Sequence, residues 1–330
     1  MKYTYSKLVK DNEKKVEKAE LEVHAVKWMF FNSDFFCGYS HLNDEASQEV
    51  IDKFNHMIDL YINEKIPPQY ILNKTFFFNY PMYVDEGCFI PRPETEQLVE
   101  ETIYRIDEMF DVDAHKQIAD VCCGSGAIGI TLKKEIENCS VFMCDVSEDA
   151  VNITKKNASN LDADVVVECG DFITPILEKR LKFDVLLCNP PYIKNDEVLN
   201  TMVVDHEPNI ALFGGVDGLD FYRIIFKHFD EIINDHGFMG FEFGYDQKEL
   251  LEEINFYQLR NRIISQLKEK LIETITEELH TNCFKSVQVL RRHVPYGYTE
   301  ECETHALVDK TEVIETIKDV LDREIIECEE

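Results

Sequence analysis

Short apolar runs alternate with amphipathic stretches through the middle of the chain. The predicted strands are "QIADVCC", "SVFMCDV", "DVVVECGDF" and "FDVLLC", beginning at residue 117, and the predicted helices between them include "AIGITLKKEI" and "SEDAVNITKKNASNL". Three further strands are predicted at "FMGFEFG", "SVQVLRR" and "THALVDK". This order predicts an α/β fold of the Rossmann-like type, a parallel doubly wound sheet with helices on both faces.

The residues before this region show a different pattern. Apolar side chains recur at helical spacing up to "KIPPQY", which predicts a small helical domain over residues 1–72. The aromatic-rich stretch "KTFFFNYPMYVDEGCFI" predicts a β-hairpin around a proline-containing turn, within a linker over residues 73–94. We predict a catalytic domain over residues 95–310 whose first helix is N-capped by Thr95, with a long helix at 257–279. The apolar spacing and the many acidic side chains over residues 311–330 predict an acidic amphipathic helix.

Composition narrows the class of partner. The chain has 330 residues, 45% of them hydrophobic, which suffices for about two packed domains. Its formal net charge of -30 repels phosphate backbones and anionic lipid surfaces, so we expect no direct nucleic-acid partner. No apolar run reaches the roughly 18 residues that a membrane-spanning helix needs. We also expect a monomer.

The cysteines indicate a reducing compartment. There are 11 of them, an odd number without a CxxC pair, and their spacing suggests no zinc site. The first residues are rich in Lys and Glu and lack the pattern of a secretory or organelle leader. We therefore expect a cytoplasmic protein with reduced thiols and no metal.

The first predicted strand runs into a glycine-rich turn, "DVCCGSGAIGI", that permits two interpretations. Gly124, Gly126 and Gly129 spell GxGxxG, the dinucleotide-binding fingerprint, and Asp145 after the next strand could bind ribose hydroxyls. The same turn also reads Asp-x-x-x-Gly-Ser-Gly from Asp120, the form in which many S-adenosylmethionine enzymes cradle their cofactor. The residues of this turn alone do not decide between a dinucleotide and S-adenosylmethionine as the cofactor.

The other predicted strands also end in polar or aromatic residues. Asp145 ends the second strand, Asp171 and Phe172 follow the third, and Asn189 follows the fourth. Because the carboxyl ends of parallel strands share one edge of the sheet, where ligands bind in open α/β folds, we expect these residues to form a site.

The tetrapeptide Asn189-Pro190-Pro191-Tyr192 suggests the chemistry of that site. The prolines cannot continue a strand, so they leave Asn189 at its end. Its side-chain oxygen and the Pro190 carbonyl can accept hydrogen bonds from a planar NH2 group, and Tyr192 can pack on that group. Two acceptors would orient the nitrogen and stabilise the positive charge that develops on it during methyl transfer. We therefore predict catalytic roles for Asn189, Pro190 and Tyr192.

Five segments, in this order, carry a resemblance to a known family. They are "FIPRPETEQLVE", "ADVCCGSGAIGI", "NPPYI", "HEPNIALFGGVDGLDFYR" and "FEFGYDQ", and the similarity runs from about residue 18 to at least residue 247. The chain resembles the protein-(glutamine-N5) methyltransferases that modify peptide chain release factors, the PrmC/HemK family. The NPPY tetrapeptide is shared with adenine methylases of nucleic acids, whereas "IPRPETE" and "EPNIALFGGVDGLDFYR" are particular to this family.

The resemblance implies a fold, an activity and a set of site residues. It implies a helical domain that binds the release factor and a catalytic domain that methylates the glutamine of its Gly-Gly-Gln motif with S-adenosylmethionine. The implied cofactor-binding residues are Cys122, Cys123, Gly124, Ser125, Gly126, Asp145, Asp171, Phe172 and Asn189. The implied substrate-binding residues are Asn189, Pro190, Pro191, Tyr192, Arg92 and Glu94.

This sequence departs from the family at three cofactor positions, and other functions compete. Cys122 and Cys123 stand where relatives commonly have glycine and threonine, and Phe172 stands where tryptophan is frequent. The alternatives are a nucleic-acid N6-adenine or N2-guanine methyltransferase with the same NPPY chemistry, a noncatalytic binding protein with this fold, and an NAD enzyme.

Overall fold

The computed structural model describes residues 2–36, 38–255, 286–291 and 303–309, which form two compact units. The helical unit comprises Met1–Phe76, Pro81–Ile90 and Val198–Asn209. The sheet unit comprises Phe77–Tyr80, Pro91–Glu197 and the described residues from Ile210 onward. The helices predicted at 257–279 and 311–330 lie outside the described residues.

The α-helices and β-strands of the described residues follow the chain in a simple order. The helices are α1 Tyr5–Lys18, α2 His24–Asn32, α3 Gln48–Asp59, α4 Pro68–Leu72, α5 Glu96–Met109, α6 Ala127–Glu135, α7 Glu148–Asn160, α8 Thr174–Lys179, α9 Thr201–His206, α10 Asp220–Lys227 and α11 Phe229–Ile232. The strands are β1 Thr75–Phe77, β2 Tyr80–Met82, β3 Lys116–Val121, β4 Cys139–Asp145, β5 Val166–Cys169, β6 Phe183–Cys188, β7 Ile233–Glu242, β8 Ser286–Arg291 and β9 Glu303–Asp309. Residues 248–255 are also helical. Within the described residues, no helix combines the length and the apolar character needed to cross a bilayer.

The helical unit packs its amphipathic helices around one apolar core. Thr4 and Ser47 each accept a backbone N–H bond with their side chain, so they cap the amino ends of α1 and α3. The buried side chains of α1, α2 and α3 meet in a single cluster that also contains Tyr61; its other members are Leu8, Val9, Val16, Val26, Met29, Phe30, Phe54 and Ile58. Met202 of α9 packs against the same cluster, which explains how a segment from far along the chain belongs to this unit.

Strands β1 and β2 form the predicted hairpin, but the predicted proline-containing turn is wrong. The turn is made by Phe78 and Asn79, which have φ angles of +52° and +65°, while Pro81 lies within β2. Positive φ at both turn residues matches the right-handed twist of a two-residue hairpin. Proline is tolerated in β2 because a two-stranded sheet has only edge strands.

The sheet unit has the predicted Rossmann-like architecture. Its seven described strands lie in the order β5-β4-β3-β6-β7-β9-β8. Strands β3 to β7 pair in parallel, whereas β9 is antiparallel to both β7 and β8. After β5 the chain returns to the other side of β3 to form β6. This reversal creates a switch point between β3 and β6, where ligands bind in open α/β sheets.

Candidate functional site

The turn between β3 and α6 contains two glycines with different surroundings. Gly124 and Gly126 have φ angles of +55° and +83°, in the left-handed region that favours glycine. A Cβ atom at Gly126 would lie 2.8 Å from Ile130 Cδ1 and 2.9 Å from Thr154 Cγ2. A Cβ atom at Gly124 would meet nothing within 4 Å. Glycine is therefore favoured at position 126 by its φ angle and by the nearby side chains of Ile130 and Thr154, whereas Gly124 presents its backbone to open space.

Side chains of α7 hold this turn from behind. The Thr154 hydroxyl donates to the Gly124 carbonyl at 2.9 Å, and the Asn157 amide donates to the Ser125 carbonyl at 2.8 Å.

Cys122, in the same turn, also has a positive φ of +59°, which costs a non-glycine residue about 1–2 kcal/mol. This backbone conformation gives a physical reason for glycine to be favoured where Cys122 stands.

Asp145 lies at the end of β4 and braces the turn through backbone hydrogen bonds. Its Oδ2 accepts from the Gly124 N–H at 2.8 Å, and its Oδ1 accepts from the Ser147 N–H at 3.0 Å. Burial raises the pKa of Asp145, while the bonds from Ser147 and Gly124 lower it. Each carboxylate oxygen can accept a second hydrogen bond, so Asp145 can brace the turn and still bind a hydroxyl.

Asp120, four residues before Gly124, is fully buried in β3. Its Oδ2 accepts from the Gly129 N–H at 2.8 Å, and its Oδ1 is a buried oxygen without a hydrogen-bond partner among the described residues. Burial raises the pKa of Asp120 to about 7, and the Gly129 N–H opposes this shift. An unpaired buried carboxylate oxygen is costly, and protonation of Asp120 reduces that cost by removing the charge.

Asp120→Asn should flatten the pH dependence of stability. The folded pKa of about 7 exceeds the unfolded value of about 4, so folded Asp120 holds its proton over this range and stability is lost as pH rises toward 7. Between pH 5 and 7 the free energy of unfolding should fall by about 2 kcal/mol more in the wild type than in the variant. Urea denaturation at both pH values measures this difference. An equal change in the free energy of unfolding in the two proteins would contradict the prediction.

Asp171 and Phe172 follow β5 at the same edge, with contrasting exposure. Asp171 is exposed, while Phe172 is only 7% exposed and has a φ of +47°. The Phe172 ring packs edge-on against Phe221, with ring centroids 5.0 Å apart, within the main core of the sheet unit. Phe172 therefore serves as a core residue in addition to any contact with a cofactor.

The chain leaves β6 at Cys188 and turns at once into Asn189. Because Val121 pairs with Cys188, the glycine turn and Asn189 begin side by side at the switch point. Pro190 and Pro191 are buried, and the Asn189 and Tyr192 side chains are half-buried. The Asn189 Nδ2 donates to Thr95 Oγ1 at 3.4 Å, and the Tyr192 hydroxyl donates to Glu242 Oε1 at 3.1 Å.

The segment "FGGVDG" supports the backbone of the tetrapeptide. The Gly214 N–H donates to the Ile193 carbonyl at 2.9 Å, and the Ile193 N–H donates to the Leu212 carbonyl at 3.0 Å. A Cβ atom at Gly214 would lie 2.3 Å from the Pro191 carbonyl oxygen. The buried Gln247 donates to the Tyr192 carbonyl at 2.8 Å. Glycine is thus needed at position 214 because two backbones touch there.

Glu242 and Thr95 complete this site, and neither role was predicted. Thr95 occupies the predicted N-cap position of α5, but its hydroxyl makes no capping bond and instead donates to Glu242 Oε2 at 2.6 Å. Glu242 is 4% exposed and ends β7, the fifth parallel strand at this edge. Residues at the carboxyl ends of the parallel strands were expected to form the site, and applying the same expectation to β7 identifies Glu242. The sequence around Thr95 indicates only a helix N-cap, so it gives no sign of the bond to Glu242.

Arg92 and Glu94 contribute charge near the tyrosine and the glutamate. Burial and the neighbouring Glu242 raise the pKa of Tyr192, whereas Arg92 lowers it. Burial also raises the pKa of Glu242, and the hydrogen bonds from Thr95 and Tyr192 lower it. The two predicted linker residues therefore act electrostatically on the site, and both are half-buried.

Comparison with known proteins gives consistent matches. The methyltransferase small domain family matches residues 106–207. A release factor glutamine methyltransferase from Clostridium acetobutylicum is 38% identical over 213 residues, which cover 61% of this chain and 73% of that protein. Proteins of the same name from Clostridium botulinum and Bacillus subtilis are 40% and 32% identical, and the matches cover 63% and 69% of this chain and 75% and 80% of theirs. The chain therefore belongs to the release factor glutamine methyltransferase family.

Proposed function

We propose that this protein transfers a methyl group from S-adenosylmethionine to the side-chain amide nitrogen (N5) of the glutamine in the Gly-Gly-Gln motif of peptide chain release factors. The observation that carries the proposal is the position of Asn189. Its carboxamide lies at the switch point, one strand from the glycine turn, on a backbone fixed by two prolines and two close glycine contacts. Family membership supports the same reaction.

The residues at the edge of the sheet fit S-adenosylmethionine. Gly124 offers an open backbone surface, and the Asp145 carboxyl group beside it would favour a cationic cofactor. The turn from Cys122 to Gly126 would hold the cofactor together with Asp145, Asp171 and Phe172. When bound, S-adenosylmethionine supplies an electrophilic methyl group on a sulfonium sulfur.

The residues of the tetrapeptide would hold and orient the glutamine. Asn189 Oδ1 and the Pro190 carbonyl would each accept one N–H bond from its amide, which aims the nitrogen and stabilises the positive charge that develops on it. Tyr192 would pack against the planar amide, with Arg92 and Glu94 lining the site. The contribution of these groups is orientation and electrostatics, so no strong base is required.

The organisation of the chain suggests how the substrate protein is bound. We propose that residues 1–72 bind the release factor, that residues 73–94 act as the linker, and that residues 95–310 catalyse the transfer. The formal net charge of -30 favours a protein substrate over a nucleic acid. The working form would be a cytoplasmic monomer.

Mass spectrometry of a release factor incubated with the enzyme and S-adenosylmethionine tests this function. We expect one added methyl group on the Gly-Gly-Gln glutamine. A release factor with Gly-Gly-Ala in place of this motif is the matched control and should gain none. Methylation of an RNA or DNA oligonucleotide, with no modification of the release factor, would overturn the proposal.

A further inference from the structure

We propose that Glu242 and Thr95 act as positioning residues that fix which end of the Asn189 carboxamide faces the substrate. Three side chains form a hydrogen-bonded chain, Glu242 to Thr95 to Asn189. The catalytic consequence of this chain rests on the proposed function, whereas the orientation itself is a property of the protein alone. The three residues come from segments far apart: 147 positions separate Thr95 from Glu242, and 94 separate Thr95 from Asn189.

Glu242 determines which groups donate and which accept in this chain of hydrogen bonds. Its Oε2 accepts from the Thr95 hydroxyl at 2.6 Å, and its Oε1 accepts from the Tyr192 hydroxyl at 3.1 Å. Burial raises the pKa of Glu242, but the hydrogen bonds from Thr95 and Tyr192 oppose this shift by stabilising the ionised form. In that form the carboxylate can only accept, so both hydroxyls point their protons at it. Glu242 and Thr95 are 4% and 3% exposed, so water competes little for these bonds.

Thr95 passes this direction to Asn189. A hydroxyl has one proton, and Thr95 gives that proton to Glu242, so its oxygen can only accept from its other neighbour. The Asn189 group that faces Thr95 at 3.4 Å must therefore be the NH2 end of the carboxamide. The Oδ1 atom then faces away from Thr95, where it can accept a hydrogen bond.

The opposite orientation would impair the proposed reaction. Rotation of a carboxamide by about 180° about its last torsion exchanges oxygen and nitrogen, and that torsion is roughly two-fold. A rotated Asn189 would present NH2 to the NH2 of the glutamine, two donors facing each other. Glu242 and Thr95 thus hold Asn189 in the form that can accept the substrate's N–H.

Thr95→Val tests the hydrogen-bonded chain, with Thr95→Ser as the matched variant. Valine keeps the shape of threonine and removes the hydroxyl, whereas serine keeps the hydroxyl. We expect Thr95→Val to lower kcat about tenfold or more with little change in the KM for S-adenosylmethionine, and Thr95→Ser to stay within about threefold of the wild type. In an Asn189→Ala background, Thr95→Val should lower kcat less than twofold further, because it acts through Asn189. A full additional loss in that background would overturn the proposal.

A substrate-free measurement separates this proposal from the proposed function. In protein labelled with 15N at asparagine, the side-chain NH2 signal of Asn189 can be assigned by its loss in Asn189→Ala. We expect slow hydrogen exchange of this NH2 in the wild type and in Thr95→Ser, and faster exchange in Thr95→Val, with thermal unfolding recorded for each. Equal exchange in all three proteins would overturn the orientation by Thr95. A wild type that shows the expected exchange but fails to methylate a release factor would overturn the proposed function alone.

Discussion

Asn189→Ala is expected to lower the rate of methyl transfer at least about a hundredfold while leaving the affinity for S-adenosylmethionine within about threefold. The variant loses the oxygen proposed to accept the amide N–H of the substrate, and an oriented partner of this kind acts mainly in the transition state. The prolines that follow keep the backbone in place, so the fold should survive. Single-turnover methylation of a release factor measures the rate, and calorimetric titration measures the cofactor affinity.

Asn195→Ala provides the matched control for this prediction. Asn195 lies six positions further along the same loop, is exposed, and donates only its backbone N–H, to the Gly215 carbonyl at 3.0 Å, among the bonds described for it. Alanine retains that N–H, so the control should transfer methyl groups at nearly the wild-type rate. A rate within about threefold of the wild type for Asn189→Ala would remove Asn189 from the mechanism.

Patterns of short range along the sequence were enough to predict the parallel sheet and one edge of the site. Alternating strands and helices fix the topology, and a parallel topology brings every strand end to the same edge. The three predicted residues lie where this rule places them: Asp145 ends β4, Asp171 follows β5 and Asn189 follows β6. Their proposed roles remain predictions, because position alone does not identify a ligand.

Long-range hydrogen bonds explain what the sequence did not reveal. Thr95 has the spacing of an N-cap, yet a buried carboxylate 147 positions away accepts its hydroxyl proton instead. Burial of Glu242 makes that bond worth more than a solvent-exposed cap, because an unpaired buried carboxylate is costly. The predicted position of the hairpin turn is also wrong. Proline is common in turns and therefore predicted one at Pro81, whereas Phe78 and Asn79 adopt the positive φ angles of the turn.

Gly218→Ala is expected to lower the free energy of unfolding by about 2–5 kcal/mol and to reduce methyl transfer. Gly218 has a φ of +76°, and a Cβ atom there would lie 2.1 Å from the Tyr192 carbonyl oxygen and 2.5 Å from Gln247 Nε2. The added carbon must displace the backbone of Tyr192 or break the bond that Gln247 donates to it. Either change moves the proposed substrate-binding residues, so both stability and kcat should fall.

Gly124→Ala separates the effect of this contact from that of the backbone conformation. Gly124 also has a positive φ, +55°, but a Cβ atom there would meet nothing within 4 Å. Its substitution should therefore lower the free energy of unfolding by only about 1–2 kcal/mol. Because the new methyl group enters the surface proposed for S-adenosylmethionine, the dissociation constant of the cofactor should rise more than about tenfold.

Urea denaturation and calorimetric titration of both variants measure these effects. If the two variants are destabilised equally, the close approach of Gly218 to Tyr192 does not support the site, and unchanged cofactor affinity in Gly124→Ala would place the cofactor elsewhere.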